Sequence, residues 1–329
     1  VSGDASLTVR RFSVPGLPLS LLKPHLPWQW PRVLKTLRAG RKALRTCIRE
    51  DEPDHVFALW VLPSGWWARR ETGSLGIPYS TWALGSDIWS LGRLPVVRHV
   101  LKGVLESAHR RYADGLELCK NVEHICNETC RFLPSTRLLP TQDPQTVRNS
   151  PPYRLAFLGR WHANKGIDLL LGALARLTPD DWSRIEEVRI YGGGPLEPVV
   201  RESASKLAGT GKPVSVGGFL NKEEAAALIG WADYLLLPSR IESIPVIFSD
   251  AAQLGTALVT TPVGDLPGWI DRYNCGVLAV GVTDSGYCRA VQRAVADRPA
   301  SFDNGLKAAA RQFNLKVITR RFIYDTGLA

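Results

Sequence analysis

Methionine is missing from this chain altogether, and no acidic residue falls between positions 32 and 49. No apolar stretch reaches the roughly 20 residues that a membrane-crossing helix requires, and the first residues carry no signal-peptide pattern. Cysteine is scarce. Its six copies (47, 119, 126, 130, 275 and 288) show no disulfide framework, and a chain this long can build its cores without one. A reduced, cytoplasmic setting is therefore the expectation. His124, Cys126 and Cys130 lie close in sequence, but no second ligand pair completes a tetrahedral zinc site, so no metal is expected. The basic residues are not interleaved with stacking aromatics and no recognised module is present, which argues against nucleic acid as a partner.

What is present describes a globular protein with sizeable cores: 45% hydrophobic and 22% charged residues over 329 positions. That length suits two domains, expected at 1–145 and 151–329. Between them, residues 140–152 hold four prolines with Gln, Asp, Asn and Ser, a linker composition. The net charge of +10 is uneven: residues 1–150 hold 21 Lys+Arg against 13 Asp+Glu (+8), and 151–329 hold 20 against 18 (+2). The first half thus attracts anionic lipid, nucleic acid or phosphorylated substrate. The chain opens at Val1 and runs at once into Leu7–Arg11, which reads as an interior strand, so the first strand–helix units of the N-terminal domain are expected to be missing.

Residues 12–31 read as an irregular loop bearing Trp28 and Trp30. Residues 32–49 read as an amphipathic helix with seven basic positions. Two readings of residues 28–49 stay open: contact with the inner membrane surface, or an ordinary sheet-packed helix with a solvated basic face. A strand is expected at 54–60, a helix opening at Pro63-Ser64-Gly65, and a strand at 76–82. Leu84-Gly85-Ser86-Asp87-Ile88-Trp89 reads as a loop at that strand's carboxyl end, where open α/β sheets bind ligands. Residues 94–112 read as a basic helix, with a further helix after Gly115. The second half alternates: strands at 153–158, 186–191, 213–217, 233–237, 257–261 and 276–280, with helices at 166–177, 196–208, 222–231, 245–254 and 283–297. Such alternation means a parallel sheet covered on both faces. One or two helices are expected within 300–325.

Three stretches carry chemistry. In Gly159-Arg160-Trp161-His162-Ala163-Asn164-Lys165-Gly166, two cations follow a strand end and a glycine opens a helix. Arg supplies a flat fork and Lys a point charge, both suited to phosphate. Gly192-Gly193-Gly194 is either a tight turn or a place where backbone approaches a ligand closely. Pro238-Ser239-Arg240-Ile241-Glu242-Ser243-Ile244-Pro245 leads from a buried strand into a helix, with Ser243 able to cap it and Pro245 in its first turn. A helix start of this kind is an anion site. Glu242 and Asp250 flank it, eight residues and about 10 Å apart at 1.5 Å per residue.

Together these stretches resemble the donor domain of family-4 retaining glycosyltransferases with two Rossmann-like domains facing across a cleft (GT-B). The resemblance rests on Gly159-Arg160-x4-Lys165-Gly166, Gly192-Gly193-Gly194-Pro195-Leu196 and Pro238-Ser239-x2-Glu242-Ser243-x-Pro245, with the E-x7-E element appearing as Glu242-x7-Asp250. It covers about 151–300 and extends more weakly into 54–140. It implies a transferase that moves a sugar with retention from a nucleotide-diphosphate donor, UDP- or GDP-linked, to a glycan or lipid-linked acceptor. Arg160 and Lys165 would hold the diphosphate, Glu242 the sugar and Asp250 the ribose. Gly159, Gly192, Gly193, Gly194, Ser243, Ile244 and Pro245 would complete the donor site, and Gly85, Ser86 and Asp87 would form the acceptor-side loop. No metal or other cofactor is implied, in keeping with the lack of a D-x-D element. Bacterial surface polysaccharide or glycolipid synthesis at the inner face of the plasma membrane is the expected setting. Two departures stand out: Leu84 replaces the family's usual histidine, and the glycine-rich loop expected near the N-terminus is not in this sequence. The alternatives are a nucleotide-sugar epimerase of the same architecture, or a catalytically impaired nucleotide-sugar-binding scaffold.

Overall fold

A computed structural model describes residues 8–14, 16, 26–140 and 148–328. Their elements fall into two units. One comprises the described residues up to Ala113, Leu118–Phe132 and those from Phe322 onward; the other comprises Asp114–Glu117 and Leu133–Arg321.

The first unit holds a four-stranded, all-parallel sheet in the order β1-β2-β3-β4. Its chain runs through α1 (Trp30–Asp51), β1 (Val56–Leu59), α2 (Trp66–Thr72), β2 (Tyr79–Ala83), α3 (Ser86–Trp89), α4 (Pro95–Ser107), β3 (Arg110–Ala113), α5 (Leu116–Cys126, from Leu118 on in this unit) and β4 (Arg131–Phe132). Parallel neighbours need crossover helices, and the apolar stripes of α4 and α5 supply them. Leu101, Val104, Leu105, Leu118 and Val122 are at most 1% exposed. Three expectations need correction. Thr8–Val14 has no regular structure, Leu7 lies outside the described residues, and Arg10 pairs instead with Glu50 and Asp51 of α1. The helix expected over 94–112 ends at Ser107, where the chain turns into β3. The loop expected over 84–89 contains the short helix α3.

The second unit runs β5 (Tyr153–Arg160), α6 (Ile167–Leu174), α7 (Pro179–Ser183), β6 (Ile185–Gly193), α8 (Glu197–Gly209), β7 (Val214–Gly217), α9 (Lys222–Trp231), β8 (Tyr234–Leu237), α10 (Val246–Leu254), β9 (Ala257–Thr260), α11 (Leu266–Tyr273), β10 (Gly276–Leu278), α12 (Asp284–Ala296), α13 (Asp303–Gln312) and α14 (Leu315–Thr326, its end from Phe322 in the first unit). The sheet order is β10-β9-β8-β5-β6-β7, parallel throughout. From the β7 edge this reads third, second, first, fourth, fifth, sixth, the Rossmann order. Connections reverse direction between β5 and β8, where such sheets bind ligands at their carboxyl ends. The central strands β8 and β9 are buried on both faces, and Leu155, Val188, Ile190, Leu235 and Leu258 are wholly covered. Asn221 and Thr178 cap α9 and α7 through reciprocal capping boxes. Of the expected linker, residues 141–147 lie outside the described set.

Candidate active site

The carboxyl end of β5 presents Arg160, exposed and without an ion pair among the described residues. The next residue, Trp161, is wholly buried. Its N–H donates to the Gly193 carbonyl (2.9 Å) and its carbonyl accepts from the Leu196 N–H (3.1 Å), which joins the cation loop to the glycine loop. His162 Nδ1 accepts the Asn164 N–H (3.1 Å) and caps the single turn Ala163–Lys165. Gly166 then adopts φ +65° to open α6, so close to β8 that a Cβ there would lie 1.8 Å from the Pro238 carbonyl oxygen. Only glycine permits both the angle and the approach.

The loop after β8 is fastened to the same turn. The Arg240 N–H donates to the Asn164 carbonyl (2.8 Å), and its guanidinium donates to both Asp168 carboxylate oxygens (2.7 and 2.8 Å) and to the Ala163 carbonyl (2.8 Å). Burial pushes the Asp168 carboxyl up, but the Arg240 fork outweighs it and holds the group below its ordinary value. On the other side Thr261, just past β9, donates to the Ser239 carbonyl. Held between these ties, Glu242 accepts from Lys165 Nζ and from Ser239 Oγ (3.2 Å). The Glu242 side chain is 12% exposed and that of Lys165 38%. The cation loop, the glycine loop and the Glu242 loop, separated by about 30 to 50 residues in sequence, are thus bonded to one another at the point where the strand order reverses.

The glycine loop has a structural reason for its composition. Gly192 (φ +146°) and Gly194 (φ +152°) stand where a Cβ would meet the Gly159 carbonyl oxygen at 1.9 Å and the Trp161 carbonyl oxygen at 2.6 Å. Helix α10 departs from the sequence reading. Its N-cap is Pro245, with no side-chain capping bond. Ser243 lies before the cap, buried, and its Oγ has no hydrogen-bond partner among the described residues. Ile244 and Pro245 are buried beside it. Asp250 lies in the second turn of α10, completely covered. Both its oxygens accept from Arg137, one at 3.1 Å from Nε and the other from Nη2. Burial raises the Asp250 carboxyl against the opposing pull of Arg137. A hydroxyl of a bound ligand reaches Asp250 only if Arg137 or its surroundings shift.

In the first unit, Gly85 takes φ +102° against the Trp89 ring, and Ser86 is exposed at the start of α3. Asp87 points inward, 1% exposed, and accepts the Val61 N–H (2.7 Å) and the Leu84 N–H (3.3 Å). Desolvation raises its carboxyl above the ordinary value. It shapes the loop from within, while Leu84, half-buried, offers no polar atom beyond its backbone. Among the described residues no group of three or more His, Cys, Asp or Glu is arranged to hold a metal ion, and no helix is long and apolar enough to cross a membrane.

Residues 152–297 match the family described as glycosyl transferases group 1, which shows the resemblance over the second unit's sheet. Among curated proteins, a D-inositol 3-phosphate glycosyltransferase of Corynebacterium aurimucosum is 28% identical over 165 residues, 49% of this chain and 39% of the relative. A glycogen synthase of Mycobacterium tuberculosis is 29% identical over 161 residues, 49% of this chain and 38% of the relative. The match therefore spans about two fifths of these relatives' length. Among solved structures, a sucrose-phosphate synthase of Thermosynechococcus elongatus superposes with a TM-score of 0.71 at 18% identity, covering 95% of this chain and 80% of that one. Anabaena HepE in complex with UDP gives 0.69 at 15%, covering 93% and 85%. The fold is that of the GT-B glycosyltransferases, with two Rossmann-like units.

Proposed function

We propose that this chain, whose second unit carries the glycosyl transferases group 1 pattern, moves a sugar with retention of anomeric configuration from a nucleotide-diphosphate donor to a glycan or lipid-linked acceptor. The observation that carries this reading is the bonding of three loops around Arg160, Lys165 and Glu242 at the reversal of strand order. Arg160 projects from a strand end, exposed and without an ion pair among the described residues, where it can meet a diphosphate. Lys165 adds a second cation five residues on. Both would offset the charge that grows on the departing diphosphate, which is where a transferase gains rate. Glu242, held by Lys165 and Ser239, presents a carboxylate to sugar hydroxyls. The Ser243 hydroxyl, buried and without a hydrogen-bond partner among the described residues, is a further polar group for the donor to satisfy. Asp250 would reach the ribose only after Arg137 yields.

That HepE was solved with UDP and with UDP-glucose favours a UDP-linked donor here. Another neighbour, Staphylococcus aureus TarM, was solved with fondaparinux, α-GlcNAc-glycerol and UDP, which favours a glycan or glycolipid acceptor. The setting we propose is the cytoplasm, in surface polysaccharide or glycolipid assembly. The test is transfer from a panel of UDP- and GDP-sugars, with donor-induced thermal stabilisation read alongside. Lys165→Ala and Glu242→Ala should each lower transfer by about 100-fold or more while the protein stays folded. Full activity in both variants would place the chemistry elsewhere. Incubation with donor alone separates transfer from epimerisation, because an epimerase alters the donor sugar without an acceptor.

A further inference from the structure

Four residues other than glycine hold a positive φ among the described residues. Three of them close helices: Glu52 follows α1, Asn127 follows α5 and Asn274 follows α11, the usual place for a left-handed residue. The fourth is Trp60, at φ +75° and ψ +128°, directly after the last residue of β1. A bulky side chain is strained at such an angle. It persists there only where the surrounding structure over-determines the backbone.

Here it does. The Trp60 N–H donates to the Trp82 carbonyl near the end of β2 (2.9 Å), and the Trp60 carbonyl accepts the Gly65 N–H (3.2 Å). The neighbouring Val61 N–H donates to Asp87 (2.7 Å), which also accepts the Leu84 N–H (3.3 Å). Gly65 is itself closely packed, since a Cβ there would stand 2.9 Å from Val104 and 3.0 Å from Thr81. The backbone is thus held on both sides, yet the ring it positions is not spent on the core. Trp60 is 40% exposed, and its indole makes no hydrogen bond or ring contact among the described residues.

The chemistry beside this ring is neutral. Residues 60–65 and 84–87, which leave the carboxyl ends of neighbouring parallel strands, hold one charged residue between them. That residue is Asp87, whose carboxylate is buried and engaged. Ser86, exposed, and Ser64, half-buried, supply hydroxyls. A phosphate would find no cation in either stretch. An indole face with hydroxyls nearby suits a ligand that has one apolar face and a hydroxylated rim. We infer that Trp60 is the stacking platform for a pyranose ring, so that the acceptor taken by the first unit is a neutral glycan. The acceptor role rests on the transferase reading above, whereas sugar binding at Trp60 is measurable without turnover.

The experiment is saturation-transfer NMR of the full chain with trisaccharides of glucose, galactose and mannose, and with glycerol 3-phosphate as the anionic comparison. The expected result is saturation of the ring C–H protons of at least one trisaccharide, and none of glycerol 3-phosphate. Trp60→Gly should weaken that binding about tenfold, with the melting temperature unchanged or higher, because glycine takes φ +75° freely. Trp60→Phe keeps a stacking face and should recover most of the affinity. In transfer assays Trp60→Gly should raise the acceptor KM and leave the donor KM and the UDP-induced thermal shift as in the parent. Equal trisaccharide binding by the parent and Trp60→Gly overturns the sugar platform. So does the absence of binding by every trisaccharide, or a preference for glycerol 3-phosphate. Trisaccharide binding that depends on Trp60, without transfer from any donor, would uphold the platform and overturn the transferase reading alone.

Discussion

Arg240 shows how a residue worth little to stability can matter to function. Its ion pair with Asp168 is about one-third exposed on each side (34% and 38%), and pairs at that exposure contribute about 0–1 kcal/mol. Yet the same guanidinium and its backbone N–H hold the Glu242 loop against the turn that carries Lys165. Arg240→Ala should therefore shift the denaturation midpoint by less than about 1 kcal/mol of stability, while raising the donor KM about tenfold through loss of positioning. An unchanged KM, measured with the donor identified by the panel, would show that the loop holds its place without the clamp. Asp250 makes the complementary point. Spacing places it near a donor ribose, but its carboxylate is taken by Arg137, 113 residues away in the chain, which no local pattern reveals.

At the scale of elements, the pairing of α1 with α2 turns on Glu71. Burial works to raise its carboxyl, but Arg45 and Arg41 outweigh that and hold it below its ordinary value. A depressed carboxylate stabilises the folded state above its unfolded pKa, and that contribution is lost as pH falls through the folded value. Glu71→Gln should thus cost about 1–3 kcal/mol at neutral pH, and the gap to the parent should close only in acid below the depressed folded value, where both side chains are uncharged. Urea unfolding at the two pH values checks it. A gap that persists in acid would assign the cost to packing.

The elements also differ in how plainly the sequence announces them. Strands β8 and β9 are short apolar runs buried on both faces, β5 and β6 carry alternating buried residues that end in glycine, and the places of all four were legible to within two residues. Strand β3 was not. It begins Arg110-Arg111, which reads as the continuation of a basic helix. Arg111 is nonetheless 9% exposed, because its guanidinium donates to the Leu105 (2.7 Å) and Glu106 (3.3 Å) carbonyls at the end of α4. A buried arginine satisfied by a helix end is a tertiary fact. Likewise Ser243 has the composition of a cap, but the helix starts at Val246, beyond its reach. The three site loops were legible because glycines and cations at strand ends have few other uses. The Arg240–Asp168, Thr261–Ser239 and Arg137–Asp250 ties were not, since ordinary polar residues make them.

At the scale of the whole molecule, the chain's last residues belong with its first unit. Phe322 lies against Phe57 (4.5 Å between ring centroids) and Tyr112 (5.5 Å). Asp325 receives Arg131 at its carboxylate and Arg110 Nε at its carbonyl (2.8 Å). The first unit is therefore completed by about half a dozen residues synthesised after the second, and its β1–β3 face depends on them. Truncation after Arg321 should lower the stability of the first unit by about 2 kcal/mol or more, from the aromatic area exposed and the stranded arginines. The second unit should keep its response to donor. A ligand that binds only the folded state raises that unit's melting point in proportion to the logarithm of its concentration. Calorimetry of the truncated chain should then show an early transition indifferent to UDP-sugar and a later one that moves with it. A single transition shifting as a whole would mean that the two units unfold as one cooperative body, and that the tail stabilises both.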